Sequence, residues 1–181
     1  MKKITSSLMG VLLIFAFSAL SFAQEPSSGE KKVWTEEFHN IIPKDKMIGV
    51  DQFKKVWEEV LAGKRKAYLL DVRSHPEFYA FHIEGSDHIS SGEMYTIPKK
   101  IPDPKAEIYV YCHSNHRAIY VIGFLLKYGY TNVYLFDGGV ISWAKVGLPF
   151  VNQFMGRFVI TEYSSDFREK GEYRIREFHP Y

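Results

Sequence analysis

The sequence contains a single cysteine, Cys112, among its 181 residues. One cysteine excludes an intramolecular disulfide and leaves no set of thiolates with which to build a zinc site. A large excess of one charge is also missing, because 23 Lys and Arg face 21 Asp and Glu. Without a strongly positive surface, the chain gives no electrostatic reason to expect a nucleic-acid partner.

A long hydrophobic run is lacking as well, although the N-terminal segment has a short one. Two lysines precede an apolar stretch at residues 8–20, which is followed by Ser21, Phe22 and Ala23. A bilayer-spanning helix needs about 20 apolar residues. A basic start, a short apolar centre and a small-x-small ending are typical of a cleavable export signal. The sequence therefore predicts a signal peptide at residues 1–23, export to the bacterial periplasm, and no stable membrane insertion after cleavage.

The rest of the chain has the composition of a folded domain. Apolar residues make up 46% and aromatic residues 16%, which excludes a disordered chain. The length is typical of one domain with a full core. Residues 24–46 predict a polar linker and lead-in, and residues 47–150 predict the domain. Residues 151–181 predict a C-terminal extension, with β-like stretches at residues 158–161 and 173–178.

Short apolar strands alternate with helical patterns along the predicted domain. We expect Asp51 to be the N-cap of an amphipathic helix that Gly63 ends. Pro76 should open a short helical turn, and Gly129 should end a helix that begins at Arg117. Strands are expected at residues 68–72, 107–111 and 132–136, with a further helix around Trp143. This alternation predicts a parallel sheet covered by helices on both faces.

The loop after the second of these strands carries the most reactive residues. It starts at Cys112 and reaches the next helix at Arg117. In an open α/β sheet, ligands bind at the carboxyl ends of the strands. Inward-facing backbone amides and a helix start stabilise a thiolate, the reactive form of cysteine. The loop therefore predicts a nucleophilic Cys112 in an anion site closed by Arg117. The alternative is a small, buried core cysteine.

Several motifs in this order resemble the rhodanese-like sulfurtransferase family. The resemblance runs from about residue 48 to residue 150 and implies the rhodanese-like fold, an open parallel sheet of about five strands with helices on both faces. The motifs are Leu70-Asp71-Val72-Arg73 with Glu77-Phe78, Phe81-His82-Ile83-Glu84-Gly85-Ser86, Gly129-Tyr130-Thr131-Asn132-Val133, and Asp137-Gly138-Gly139-Val140-Ile141-Ser142-Trp143 with Gly147-Leu148-Pro149.

The resemblance also implies a chemistry and a set of site residues. In that family the cysteine takes a sulfane sulfur from a donor, becomes a persulfide and passes the outer sulfur to a nucleophile. Cys112 would then be catalytic, with no cofactor beyond its persulfide. Asp71 and Arg73 would form a supporting ion pair. The substrate-binding residues would be His113, Ser114, Asn115, His116 and Arg117. The implied partners are a small sulfur-donor anion such as thiosulfate and a thiophilic acceptor, with an exported acceptor protein as one candidate.

The loop departs from a common family form, Cys-Arg-Ser-Gly-x-Arg, at two positions. Asn115 replaces the glycine, and Asn tolerates a positive φ better than most non-glycine residues. We therefore expect Asn115 to keep a positive-φ turn. His113 replaces the arginine and is only partly cationic near neutral pH, so thiosulfate should bind more weakly than with arginine there.

Other functions remain open on the sequence alone. The chain could be a non-catalytic or sulfur-carrier module that docks on another exported protein. A related phosphatase would separate cysteine and arginine by five residues, whereas four separate Cys112 from Arg117. A redox thiol protein would usually need a resolving cysteine. No metal site is expected at Cys112, His113 and His116, because adjacent residues such as the first two rarely bind the same ion.

Overall fold

The computed structural model describes residues 40–160. The predicted signal peptide, residues 24–39 of the lead-in and residues 161–181 of the extension lie outside the described residues. The elements are β1 (Met47–Ile48), α1 (Val50–Leu61), β2 (Tyr68–Asp71), α2 (His75–Ala80), β3 (Asp87–His88), α3 (Ile97–Lys100), β4 (Ile108–Tyr111), α4 (His116–Lys127), β5 (Val133–Phe136), α5 (Gly139–Lys145), β6 (Phe150–Asn152) and β7 (Gly156–Phe158). Short 3-10 helices cover Lys44–Lys46 and Ser91–Thr96. No helix within residues 40–160 is long and apolar enough to cross a membrane.

Five of the strands form one sheet in the order β1-β5-β4-β2-β3. All four strand pairs in it are parallel, which confirms the predicted parallel sheet. The central strand β4 lies between β5 and β2, and Tyr111 at its end stands opposite Asp71 at the end of β2. The two strands therefore finish at the same level, and the chain segments that follow them start side by side.

The sheet separates two hydrophobic clusters. Side chains alternate along each strand, so that Leu70 and Val110 belong to one cluster while Leu69 and Tyr109 belong to the other. Residues of α4 pack into the first cluster, and residues of α1 and α5 pack into the second. The prediction of helices on both faces of the sheet is confirmed.

Some local predictions were wrong in their boundaries. The N-cap of α1 is Gly49 in extended backbone, and the helix begins at Val50. Asp51 therefore lies inside the first turn, where a carboxylate still interacts favourably with the positive end of the helix. The strands β1 and β3 and the helix α3 were not predicted. Two-residue strands and a four-residue helix carry too little periodicity to detect.

A small hairpin follows the last helix of the sheet. Strands β6 and β7 pair antiparallel, and Val151 also bridges to His82. Arg157 forms an ion pair with Glu84 at 2.5 Å. These contacts tie residues 150–158 to the sheet domain. Of the β-like stretch expected at residues 158–161, only Phe158 lies in a strand, because β7 ends there and residues 159 and 160 belong to no strand. Residue 161 and the stretch expected at residues 173–178 lie outside the described residues.

Candidate active site

Cys112 directly follows β4, the central strand of the sheet. The chain then forms a short loop, here called the Cys112 loop (residues 112–117), which enters α4 at His116. Cys112 is almost fully buried, with 1% of its surface exposed, and it packs in the first hydrophobic cluster. The sequence-predicted position at a strand carboxyl end is therefore observed, and access to the sulfur is narrow.

The start of α5 binds the backbone carbonyls of this loop. The amide of Val140 donates to the Cys112 carbonyl at 3.1 Å, and that of Ile141 donates to the His113 carbonyl at 3.3 Å. Within residues 40–160, the amides of Ser114, Asn115 and Arg117 donate no hydrogen bond. Loop amides that have no acceptor in the described part of the chain, next to a helix N-terminus, can stabilise an anion on or near the sulfur.

Close approach of α5 to the loop requires the two glycines that follow β5. Gly138 has φ +79° and Gly139 has φ +51°, which only glycine adopts readily. A Cβ at Gly139 would overlap the carbonyl oxygen of Cys112 and lie 2.8 Å from that of Ser114. The Gly138-Gly139 pair therefore sets the distance at which α5 supports the Cys112 loop.

Arg117 makes a two-pronged ion pair across the site. Its Nη1 and Nη2 donate to the Glu77 carboxylate at 2.5 and 2.8 Å. The backbone and hydroxyl of Ser74 also donate to that carboxylate, at 3.0 and 2.7 Å, and complete a capping box at the start of α2. Burial alone would raise the pKa of Glu77, but the hydrogen bonds from Arg117 and Ser74 outweigh it and lower the pKa to about 2. Arg117 thus anchors the end of the loop to α2.

Asp71 and Arg73 form a buried ion pair beside the loop. The Arg73 guanidinium donates to Asp71 Oδ2 through Nη2 at 2.7 Å and through Nε at 2.9 Å, and Nη2 also donates to the Phe81 carbonyl at 2.5 Å. Arg73 is only 1% exposed. Since Asp71 stands opposite Tyr111, the residue before Cys112, the pair supports the end of β2 next to the site.

The structure overturns the expected conformation of Asn115. Its φ is −139°, and no residue other than glycine has a positive φ within residues 40–160. The side chain explains this conformation. Its Nδ2 donates to Asp137 Oδ1 at 2.6 Å, and its Oδ1 accepts from the amide of Gly138 at 2.8 Å. Asn115, at the position of the glycine in the common family form, therefore connects the loop to this turn through its side chain, and its backbone is not left-handed.

The remaining loop residues take different environments. His113 and Ser114 are half-buried, and His116 is exposed at the start of α4. Two histidines outside the loop have structural contacts: a ring nitrogen of His82 lies 2.9 Å from the Phe78 carbonyl, and one of His88 lies 2.9 Å from the Arg73 carbonyl. Burial lowers the pKa of His82. No group of three His, Cys, Asp or Glu within residues 40–160 could hold a metal ion.

Two contacts of the site could not be predicted from the sequence, although Glu77 and Asp137 belong to the motifs that resemble the family. Glu77 binds Arg117 from 40 positions away, and Asp137 binds Asn115 from 22 positions away. The Ser74-x-x-Glu77 spacing was a detectable capping-box signal. Nothing in the sequence indicated that Glu77 also holds Arg117 or that Asp137 faces Asn115.

These features coincide with those of a known family. The sequence model of the rhodanese-like domain family matches residues 53–146, just over half of the chain. The chain belongs to the family of rhodanese-like domains.

Two relatives and one solved structure show what the chain is similar to. A sulfurtransferase of Allochromatium vinosum is 31% identical over 93 residues, which cover 50% of this chain and 84% of that protein. The uncharacterized protein YqhL of Bacillus subtilis is 36% identical over 86 residues, or 48% and 68% of the two chains. The fold also resembles the polysulfide-sulfur transferase of Wolinella succinogenes, with a TM-score of 0.54, 21% identity, and coverage of 70% of this chain and 90% of the other.

Proposed function

We propose that the protein is a sulfurtransferase that moves a sulfane sulfur through a persulfide on Cys112. The donor would be thiosulfate or another persulfide, and the acceptor a thiophilic molecule. The observation that carries the proposal is the placement of the only cysteine at the end of the central strand, in a loop where the amides of three residues donate no hydrogen bond within residues 40–160. Membership of the rhodanese-like family and the relative named a sulfurtransferase support it.

The chemistry needs only the cysteine, the donor and the acceptor. The Cys112 thiolate attacks the outer sulfur of thiosulfate, the sulfur–sulfur bond breaks, and its electron pair leaves with sulfite. The acceptor then attacks the terminal sulfur of the persulfide, and the electron pair of that bond returns to Cys112 as a thiolate. Charge balances in both steps, so no oxidant or reductant is consumed.

The surrounding residues fit this scheme in different ways. The amides of Ser114, Asn115 and Arg117 can hold the negative charge of the persulfide. The Arg117 guanidinium is committed to Glu77, so in this proposal it shapes the loop. The low exposure of Cys112 favours donors that present a single terminal sulfur.

The test is sulfur transfer from thiosulfate to cyanide, followed as thiocyanate. The wild type should turn over and, without cyanide, should gain the mass of one sulfur atom on Cys112. Cys112→Ser should do neither, because a serine hydroxyl is a far weaker nucleophile toward sulfur. Turnover by folded Cys112→Ser would remove the proposal.

A second candidate is a sulfur carrier or a non-catalytic docking module. The pairing of Arg117 with Glu77 favours it, because that guanidinium is then not presented to a small anionic donor. A carrier would accept one sulfur from a protein persulfide and hold it without turnover on cyanide. A purely non-catalytic module would take no sulfur from any donor.

A further inference from the structure

Asn115 occupies the N-cap position of α4 but does not cap that helix with its side chain. Asn is among the best N-cap residues, but here its side chain makes its hydrogen bonds to another segment. Both ends of the amide group bind the turn between β5 and α5: Nδ2 donates to Asp137, and Oδ1 accepts from Gly138. We call this pair of contacts the Asn115 bridge.

The turn that receives the bridge is itself fixed. The Asp137 amide donates to the Ile48 carbonyl at 2.9 Å, and the Asp137 carbonyl accepts from the Ser142 hydroxyl at 2.9 Å. Asp137 is thus held by β1 on one side and by α5 on the other. A side chain bound to such an anchor is held in place together with the backbone that carries it.

The bridge lies close to the bonds by which α5 holds the loop backbone. The amides of Val140 and Ile141 bind the carbonyls of Cys112 and His113. Asn115 binds Asp137 and Gly138, the residues three and two positions before Val140. Side-chain and backbone links therefore join the same two segments. Loss of the bridge leaves the C-terminal half of the Cys112 loop without its tie to this turn.

We propose that Asn115 is a positioning residue that keeps the Cys112 loop closed on the turn between β5 and α5. It acts through Asp137 and Gly138 and not by contact with the sulfur donor. This role deepens the proposed function and rests on it for one of its two readouts, the rate of sulfur transfer. The other readout, the opening of the loop, is independent of the reaction.

The two readouts should move in opposite directions. Because Cys112 is 1% exposed, alkylation by iodoacetamide requires the loop to open. Without the bridge, opening becomes easier and alkylation should be at least about fivefold faster, because two hydrogen bonds are lost and each contributes a modest net stabilisation. Sulfur transfer should be slower in kcat by a similar factor, since the loop amides are no longer held in place.

The experiment compares Asn115→Ala, Asn115→Asp and the double variant Asn115→Asp/Asp137→Asn. Asn115→Asp places two carboxylates in contact, and the double variant exchanges donor and acceptor so that the bridge can form again. Asn132→Asp is the matched control, because it adds the same charge at the opposite end of β5 from Asp137. Alkylation of Cys112 is followed by mass spectrometry, thiocyanate formation gives kcat and KM, and thermal melts report folding.

The expected result is faster alkylation and lower kcat in both single variants, with both values restored in the double variant and unchanged in Asn132→Asp. Unchanged alkylation in folded Asn115→Ala would overturn the proposal. So would a rise in KM for thiosulfate that the double variant does not reverse, because that result assigns Asn115 to the donor. If the single variants do not fold, wild-type alkylation in the double variant supports the bridge, and failure of the double variant to fold overturns it. Should the wild type form no thiocyanate, the proposed function fails while the alkylation series still decides the bridge.

Discussion

Arg117, the last residue of the Cys112 loop and the second residue of α4, is bound to Glu77 through both terminal guanidinium nitrogens. Glu77 in turn completes the capping box of α2 with Ser74. One carboxylate therefore joins the start of α2 to the end of the Cys112 loop. The residue that sequence reasoning assigned to the substrate is engaged in holding two helices together.

Glu77→Gln should weaken this link. A neutral amide loses the charge of the ion pair and keeps only one oxygen, so the two parallel bonds to separate carboxylate oxygens cannot both form. Because the pair is partly exposed, we expect a loss of about 1 kcal/mol in the free energy of unfolding and a lower rate of thiocyanate formation. Urea unfolding and initial rates measure the two effects. Glu84→Gln is the matched control, since it removes a more exposed ion pair, with Arg157, away from the loop; equal effects of both variants would contradict the assigned role.

The same carboxylate should make stability depend on acidic pH. The pKa of Glu77 lies at about 2 in the folded protein, below the ordinary value of 4.5. Its contribution is therefore fully present above about pH 4.5 and is lost as the pH falls toward 2. Urea titrations from pH 6 to pH 3 should show a steeper decline for the wild type than for Glu77→Gln. Parallel curves would show that the ion pair does not contribute to stability.

Gly139→Ala should push the start of α5 away from the Cys112 loop. The new Cβ would overlap the Cys112 carbonyl, and the backbone would be strained at φ +51°. A left-handed alanine costs about 1–2 kcal/mol, and the overlap adds to this, so thiocyanate formation should fall sharply. Gly156→Ala is the control: it has φ +66° with no atom within 4 Å of the new Cβ, so it carries the strain without the overlap. Similar activity of both variants would argue against the close packing of α5 on the loop.

Arg73→Met should be strongly destabilising. It leaves the Asp71 carboxylate buried without its guanidinium partner, and breaking a buried ion pair costs about 3–5 kcal/mol. The double variant Asp71→Asn/Arg73→Met removes the orphaned charge and should recover part of that loss. Urea unfolding of the three proteins measures both steps. No recovery in the double variant would mean that the main role of Arg73 is its bond to the Phe81 carbonyl.

The alternating apolar strands and helices were sufficient to predict the parallel sheet, because burial of a sheet on both faces leaves a strong local pattern. The position of Cys112 could be predicted in the same way, because the residue after a buried parallel strand lies at the carboxyl end of that strand. The short strands β1 and β3 have no such pattern. They form because β5 and β2 offer them unpaired edges, which is a property of the assembled sheet.

The loop shows the same division between local and tertiary causes. The spacing of Cys112 and Arg117 and the helix that follows could be predicted from the chain alone, since they depend on neighbouring residues. The partners of the polar side chains depend instead on how distant segments come together in the fold. Asn115 was expected to bend the backbone, but Asp137 and Gly138 lie within hydrogen-bond distance only after β5 has paired with β4. Arg117 likewise meets Glu77 because the sheet places the starts of α2 and α4 side by side, at the carboxyl ends of β2 and β4. Contacts between residues 22 and 40 positions apart leave no periodic pattern in the sequence.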